Sequence, residues 1–245
     1  MNKFIYHFVC FVIFAGCDLQ VIHANTTKMP FKAFVKINAN VTFDTCVKTN
    51  EQSFCQNNRF SSSGSGFIVK KQKNKTYIMT AAHVCIPEIK ADSISITNIK
   101  TIFNIQTMKN KIYTAKVYRV PSEYISKVKP IDLCLLVVKR KLNYPTIKIA
   151  TKEPVMGEKI YNIAAPTGFF FPPSVVFLEG FYSGQMTENH SLITVPGMGG
   201  SSGSPVLNKS GRLIGLLFAA NPTFPHISIS MNYSSVSKFL KQNLR

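Results

Sequence analysis

A glycine- and serine-rich segment at residues 196–206 contains the residue types best suited to chemistry. It reads PGMGGSSGSPV. Glycines permit a tight turn whose backbone N–H groups converge on one point, as stabilisation of an oxyanion requires, and a serine at the apex of such a turn is a candidate nucleophile. A flexible linker would have the same composition, but the apolar residues that follow and the sequence GRLIG at 211–215 predict a β-hairpin instead.

Two other segments carry side chains that activate a serine in acyl transfer. His83 follows a predicted buried strand and two alanines, and Asp132 directly precedes the apolar run at 133–138. A single histidine is more often structural, and a single carboxylate at the end of a strand more often faces solvent. A serine is a poor nucleophile until a base removes its proton, however, so the three residue types together indicate nucleophilic catalysis.

Strands are the elements predicted to position these residues. Ile, Val, Thr, Phe and Tyr recur in short runs that Gly, Pro, Asn and Ser interrupt, and heptads are absent. The runs form two groups of similar number on either side of a break at 139–145. The last residues predict a short helix, because Val236, Phe239 and Leu240 lie on one face. The sequence therefore predicts an all-β protein that ends in a short helix.

The order of these segments resembles that of the trypsin-like serine peptidases, which have the chymotrypsin fold. The shared motifs are TAAH at 80–83, DLxLL at 132–136, GxSGxP at 200–205 and GxLxG at 211–215. Subtilisin-like enzymes and α/β-hydrolases place His, Asp and Ser in other orders. The resemblance covers the chain from about residue 63 to its end. It implies two six-stranded antiparallel β-barrels with a short C-terminal helix, and a serine endopeptidase that needs no cofactor and no metal ion to cleave proteins or peptides.

The resemblance also implies a role for each residue of the site. His83 is the general base, Asp132 orients it through the other ring nitrogen, and Ser202 attacks the scissile carbonyl to form an acyl-enzyme. Backbone N–H groups of Gly200 and Ser202 form the oxyanion hole. The floor of the primary specificity pocket is expected near Pro196. Its wall is expected to contain Phe218, Ala219 and Ala220.

None of the predicted pocket residues is acidic, so we expect a small or apolar residue before the cleaved bond rather than Arg or Lys. His226 is an alternative determinant that would favour Glu at that position. Ser201 and Ser204 compete for the role of nucleophile, but only Ser202 has the Gly at +1 and the Pro at +3 that the family motif carries.

Ser201 also stands where digestive members of the family carry an acid that pairs with a newly cut N-terminus, so activation of that kind is not expected. In this respect, and in the strand GSGFIV at 64–69, the chain resembles bacterial HtrA-like and glutamyl-endopeptidase-like members more closely. The segment at the end of the sequence is too short for the PDZ domain that HtrA proteins carry, so such a domain is not expected from these residues.

The cysteines predict disulfides rather than a metal site. Cys85 and Cys134 each lie two residues after a proposed triad residue, so assembly of the triad brings their sulfurs together. Cys46 and Cys55 would then form a second bridge; buried free thiols are the alternative. The chain contains no CxxC pair, which argues against structural zinc.

Two functions other than an enzyme remain open from the sequence. The net charge is +18, from 29 Lys and Arg against 11 Asp and Glu, so a basic protein that binds anionic surfaces is one alternative. The lysines are scattered and no nucleic-acid module is recognisable, so specific binding of nucleic acid is not expected. The second alternative is a catalytically inactive trypsin-like binding module, because a fold persists without its chemistry.

Residues 1–24 predict an export signal. A short basic start precedes about a dozen mainly apolar positions, and a stretch of this length is typical of a signal-peptide core and too short for a membrane span. Cleavage after Ala24 would release a secreted or periplasmic protein. Alternatively, FAGC at 14–17 resembles a degenerate bacterial lipobox, which implies lipidation of Cys17 and attachment of the N-terminus to a membrane. The expected divisions are an arm at 25–62 and a peptidase domain at 63–245, with barrels at about 63–140 and 146–232 and a helix at about 234–243.

Overall fold

The computed structural model describes residues 29–48, 53–86, 88, 95–125 and 131–244. The predicted export signal, with Cys17 and Ala24, lies outside the described residues. Within the described ranges, no helix has both the length and the apolar character needed to cross a membrane.

Six antiparallel strands form the first barrel. They are β1 (Phe34–Lys48), β2 (Ser53–Gln72), β3 (Lys75–Thr80), β4 (Ser95–Thr107), β5 (Ile112–Arg119) and β6 (Cys134–Val138). The barrel closes in the order β1-β2-β3-β6-β5-β4. Two short helices, α1 (Ala82–Cys85) and α2 (Ser122–Ile125), lie in its connections.

The first barrel begins earlier in the chain than the sequence predicted. β1 and the first half of β2 fall in the segment expected to be an arm, yet β1 pairs with β2 from Phe34↔Phe67 to Lys48↔Ser53 and with β4 on its other side. Alternate residues of β1 are buried from Val35 to Val41, which is the period of a strand that covers a core. The barrel therefore starts at Phe34, and the expected boundaries of an arm to residue 62 and a first barrel from 63 are corrected.

The second sheet contains seven strands. They are β7 (Lys159–Ala164), β8 (Phe170–Phe171), β9 (Ser174–Gln185), β10 (His190–Ile193), β11 (Ser204–Leu207), β12 (Leu213–Ala220) and β13 (Ser228–Met231). Their order is β10-β13-β12-β11-β7-β9-β8, and β9 also pairs with β10. That pairing joins six strands in a ring and leaves β8 outside it. The predicted fold class, two six-stranded antiparallel barrels of the chymotrypsin type with a C-terminal helix, is confirmed.

The C-terminal helix α3 (Tyr233–Asn243) packs against the barrels. Asn232 caps its first turn by accepting a hydrogen bond from the N–H of Ser235, which satisfies one of the free donors at a helix start. Val236 and Phe239 are buried in the main hydrophobic cluster of the protein. The apolar face that the sequence predicted for this helix therefore covers the core.

Two disulfides are present, and both are pairings that the sequence predicted. Cys46 bonds to Cys55 near the tip of the β1–β2 hairpin, and Cys85 bonds to Cys134 across a sequence separation of 49 residues. The second bridge joins α1 to the first residue of β6. It therefore links the two segments that carry His83 and Asp132.

Candidate active site

The pairing of β3 with β6 brings His83 and Asp132 together. Thr80 at the end of β3 lies opposite Cys134 at the start of β6, so α1 begins beside the residue that precedes β6. The Asp132 carboxylate is 7% exposed. Its Oδ2 lies 2.6 Å from His83 Nδ1, and its Oδ1 accepts the backbone N–H of His83 at 3.0 Å.

This arrangement sets the orientation of the imidazole. Both oxygens of Asp132 contact one residue, so the ring is held at two points. A neutral imidazole whose Nδ1–H donates to a carboxylate leaves Nε2 as its basic nitrogen. His83 is half-buried, and its ring is therefore both oriented and partly exposed.

Tyr124 of α2 lies on the Asp132 side of the site. Burial raises the pKa of Tyr124 to about 12, and the negative charges of Asp132 and Glu88 add to the shift. The phenol is therefore protonated at neutral pH. It adds no charge beside the carboxylate that orients His83.

The loop that carries Ser202 packs against the first barrel beside α1, because a Cβ on Gly64 would contact both the Val84 side chain and the Ser202 carbonyl. Ser65 of β2 donates its N–H to the Ser202 carbonyl at 2.8 Å. Gly203 has a φ of +88°, and a Cβ at this position would overlap the Ser65 carbonyl and the Thr80 hydroxyl. Only glycine permits both this backbone conformation and this close approach.

The Ser202 hydroxyl is not bonded to His83 in this structure. Ser202 Oγ donates to the carbonyl of Phe218 at 3.2 Å, and among the described residues no hydrogen bond joins it to the imidazole. Rotation about the Ser202 Cα–Cβ bond is required for such a bond. Catalytic hydrogen bonds are often long or misaligned without substrate, so this rotamer is compatible with a nucleophile.

The backbone of the Gly199–Ser202 loop is held at three consecutive peptide groups. The Gly199 carbonyl accepts from Thr167 N–H at 2.6 Å, the Gly200 carbonyl accepts from Ser65 Oγ at 2.8 Å, and the Ser201 carbonyl accepts from Ser204 N–H at 3.0 Å. The loop segment is thus bonded through its carbonyls. In the part of the chain that the structure describes, neither Gly200 N–H nor Ser202 N–H has an acceptor, as expected of the two predicted oxyanion-hole donors.

A pocket of about 340 Å³ opens beside Ser202. Of the predicted pocket residues, Phe218, Ala219 and Ala220 line it. Pro196 does not; Gly197 lies there instead. The other lining residues are Met198, Gly199, Ser202, Leu217, Asn221, Pro222 and Pro225. The lining therefore contains no charged side chain.

Gly197 lines the pocket in place of the predicted Pro196 for a local reason. A Cβ on Gly197 would lie 2.5 Å from Ser228 Oγ and 2.9 Å from the Ala220 Cβ, so the glycine allows the segment after β10 to lie directly against β12 and β13. His226 is not among the lining residues either. It is exposed, and its ring packs on Phe224 with centroids 5.5 Å apart.

A larger groove of about 560 Å³ lies elsewhere, between α3, the end of β5 and the turn before β10. Its charged lining residues are Arg119, Glu188 and Lys238, and its lining includes no histidine. A nucleophile there would have no imidazole as its base. The smaller pocket beside Ser202 is therefore the candidate for substrate binding.

The class of protein follows from comparison with known families. The family model described as a trypsin-like peptidase domain matches residues 64–216. This match covers more than half of the chain, and the chain belongs to the trypsin-like peptidase family.

Particular relatives support the same conclusion. A protein described as "Serine protease HtrA-like" from Staphylococcus aureus (strain MRSA252) is 26% identical over 196 residues, which is 73% of this chain and 23% of the relative. The chain thus spans less than a quarter of that relative's length.

Solved structures share the fold. The active form of the Rv3671c protease from M. tuberculosis superposes with a TM-score of 0.60 at 15% identity, over 88% of this chain and 82% of that one. An inactive serine-to-alanine variant of the same protein superposes with a TM-score of 0.58 at 16% identity, over 87% of each chain.

Proposed function

We propose that this chain is a serine endopeptidase that hydrolyses peptide bonds through an acyl-enzyme. The observation that carries the proposal is the His83 imidazole held by both oxygens of Asp132, next to a serine loop with two N–H groups free of acceptors. Binding alone does not require a buried carboxylate dedicated to orienting one imidazole. Membership of the trypsin-like peptidase family supports the same function.

In the proposed reaction, Ser202 Oγ turns from the Phe218 carbonyl toward the cleft and attacks the scissile carbonyl carbon. His83 Nε2 takes the hydroxyl proton, and Asp132 stabilises the imidazolium that forms. The negative charge on the carbonyl oxygen is stabilised by Gly200 N–H and Ser202 N–H, each worth roughly 3 to 4 kcal/mol. The imidazolium then protonates the leaving amine, and a water molecule hydrolyses the ester by the same steps.

The proposed substrate is a polypeptide with a small or apolar residue before the cleaved bond. The pocket beside Ser202 has walls of Phe218, Ala219 and Ala220 and no charged lining residue. A Lys or Arg side chain would lose hydration there without gaining a partner, which is unfavourable. His226 does not line this pocket, so a preference for Glu is not proposed.

We further propose that the protein works outside the cytoplasm. Its two disulfides persist in oxidising compartments, and residues 1–24 have the pattern of an export signal. Lipidation at Cys17 stays a prediction.

The test is covalent labelling with a fluorophosphonate, which reacts with activated serines. The full chain, produced with its export signal, is labelled as wild type and as Ser202→Ala. Ser204→Ala is the matched control, because its hydroxyl is buried and accepts from Asn162. We expect labelling to be lost only in Ser202→Ala, with turnover lowered by about 10⁶-fold. Folded wild type that takes no label would identify an inactive binding module.

A peptide library with the same proteins tests the specificity. We expect cleavage after apolar or small residues, and none in the Ser202→Ala preparation. Equal cleavage after Arg or Lys would contradict the proposed pocket.

A further inference from the structure

One buried hydroxyl joins both barrels at the proposed oxyanion hole. Ser65 of β2 is fully buried. Its Oγ donates to the Gly200 carbonyl at 2.8 Å and accepts the Ala165 N–H at 3.0 Å. Its backbone N–H donates to the Ser202 carbonyl at 2.8 Å, and its carbonyl accepts from Thr80 Oγ1 at 2.8 Å. Ser65 thus links the end of β3 to two segments of the second barrel.

The same loop is held from a second side by Thr167. Its N–H donates to the Gly199 carbonyl at 2.6 Å. Thr167 has φ +48° and ψ 23°, the left-handed conformation that a β-branched residue rarely adopts. Such strain persists where the surrounding contacts require it. Here the adjoining Gly168 carbonyl is bonded to Lys36 Nζ at 3.1 Å.

These bonds determine where the Gly200 N–H points. In a trans peptide the carbonyl of Gly199 and the N–H of Gly200 point in opposite directions. Thr167 holds that carbonyl on one side, so the N–H faces the other side, away from Thr167. Ser65 holds the next carbonyl, at Gly200, and thereby opposes rotation of the loop as a whole.

We infer that Ser65 is a positioning residue, whose hydroxyl keeps the Gly199–Ser202 loop in the conformation that presents both oxyanion-hole donors. It acts through Gly200 and touches neither the reacting carbonyl nor the triad side chains. The inference rests on the proposed function, because positioning matters to catalysis only if an oxyanion forms there. It predicts a loss in the chemical step with little change in substrate binding.

The test compares wild type with Ser65→Ala in steady-state kinetics. We expect kcat to fall by about 10- to 100-fold, less than removal of a donor outright, and KM to stay within about twofold. The second measurement is the Ki of a peptidyl trifluoromethyl ketone, whose hemiketal oxyanion occupies the oxyanion hole. Its Ki should rise by the same factor as kcat/KM falls.

Thr76→Val is the matched control for loss of a buried hydroxyl. Thr76 is fully buried at the start of β3, at the other end of that strand from α1. Its Oγ1 donates to the Arg140 carbonyl at 2.8 Å and accepts the Leu142 N–H at 2.9 Å. Thr76→Val and Ser65→Ala each remove one hydrogen bond to a carbonyl and one from a backbone N–H. We therefore expect the thermal stability of the two variants to fall similarly, while kcat and the ketone Ki of Thr76→Val stay unchanged.

Two outcomes would overturn the inference. One is a Ser65→Ala protein with wild-type kcat and ketone Ki. The other is a loss of kcat in Thr76→Val as large as that in Ser65→Ala, because the effect would then be general destabilisation.

Failure of the proposed function has a different signature, namely a folded wild type without turnover or label. Amide hydrogen exchange then decides the inference separately. Thr167 N–H and Ser201 N–H are both bonded within the loop region, to the carbonyls of Gly199 and Met198. Their exchange should be faster in Ser65→Ala than in wild type, and equal rates would refute the positioning role.

Discussion

At the scale of single residues, the site depends on one carboxylate. Asp132 is nearly fully buried, and within the described residues each of its two oxygens is hydrogen-bonded to His83. A buried charge of this kind is costly unless it is hydrogen-bonded, and a charged hydrogen bond is stronger than a neutral one. Asp132 therefore determines which imidazole nitrogen carries the proton and where the ring points.

Asp132→Asn is expected to lower kcat by about 10⁴-fold with little change in fold. The amide group of asparagine donates where the carboxylate accepted, so His83 would be held in the wrong tautomer. The measurement is kcat on a peptide substrate, with thermal melting to check folding. Asp44→Asn is the control, because Asp44 is a hydrogen-bonded carboxylate in the β1–β2 ribbon, where it accepts from Asn57 and Asn98. A loss of less than tenfold at Asp132 would contradict the proposed role.

At the scale of elements, α1 and β6 must stay in register for His83 to meet Asp132. The β3–β6 pairing sets that register, and the Cys85–Cys134 disulfide joins α1 to β6 covalently. The Cys46–Cys55 disulfide instead joins two residues that already lie opposite each other in the β1–β2 pairing. The two bridges thus have different consequences for the site.

Removing the Cys85–Cys134 bridge as Cys85→Ala with Cys134→Ala should lower the free energy of unfolding by roughly 4 kcal/mol, because the closed loop spans 49 residues. It should also lower kcat, since α1 loses its covalent link to β6. The matched double variant Cys46→Ala with Cys55→Ala removes a bridge that closes a loop of only 9 residues, so it should cost roughly 3 kcal/mol at most, with kcat unchanged. Guanidinium denaturation and kcat at a temperature where all variants are folded are the measurements. Equal kcat for the two double variants would show that the first bridge does not support the site.

At the scale of the whole molecule, one hydrophobic cluster includes residues of both barrels, and a second cluster lies within the second barrel. The main hydrophobic cluster includes Leu207, Leu216 and Met231 of the second sheet together with residues of the first barrel. The whole chain has a net charge of +18, which is expected to attract acidic peptides over about 10 Å at 0.1 M salt.

This charge predicts a salt-dependent preference among substrates. A peptide with Glu residues far from the cleaved bond should have a kcat/KM about tenfold above that of its Lys counterpart at low salt. The two values should converge near 1 M salt, where screening shortens the range of the interaction to about 3 Å. The measurement is kcat/KM for both peptides across a salt series. A ratio that does not change with salt would show that the charge plays no part in substrate capture.

Much of the fold was predictable from the sequence because its signals are local. Short β-branched runs with period two predicted the strands, and the apolar face at Val236 and Phe239 predicted α3. The start of the barrel was missed because the alternation of polar and buried residues in β1, for example at Asn38 and Asn40, predicts a strand but does not distinguish an N-terminal arm from a strand of the barrel. Only the pairing of β1 with both β2 and β4 makes it a barrel strand.

The sequence by itself determined the fold class and the residue types of the candidate site, since each depends on a short motif and its position in the chain; for the cysteines it offered the observed pairings with free thiols as the alternative, and the structure decided between them. The tertiary structure decided the base of the pocket at Gly197 and the bonding of Ser65. Ser65 meets Gly200 across 135 residues and Ala165 across 100. Contacts at such separations leave no local pattern, because they depend on how two barrels dock rather than on what either segment prefers alone.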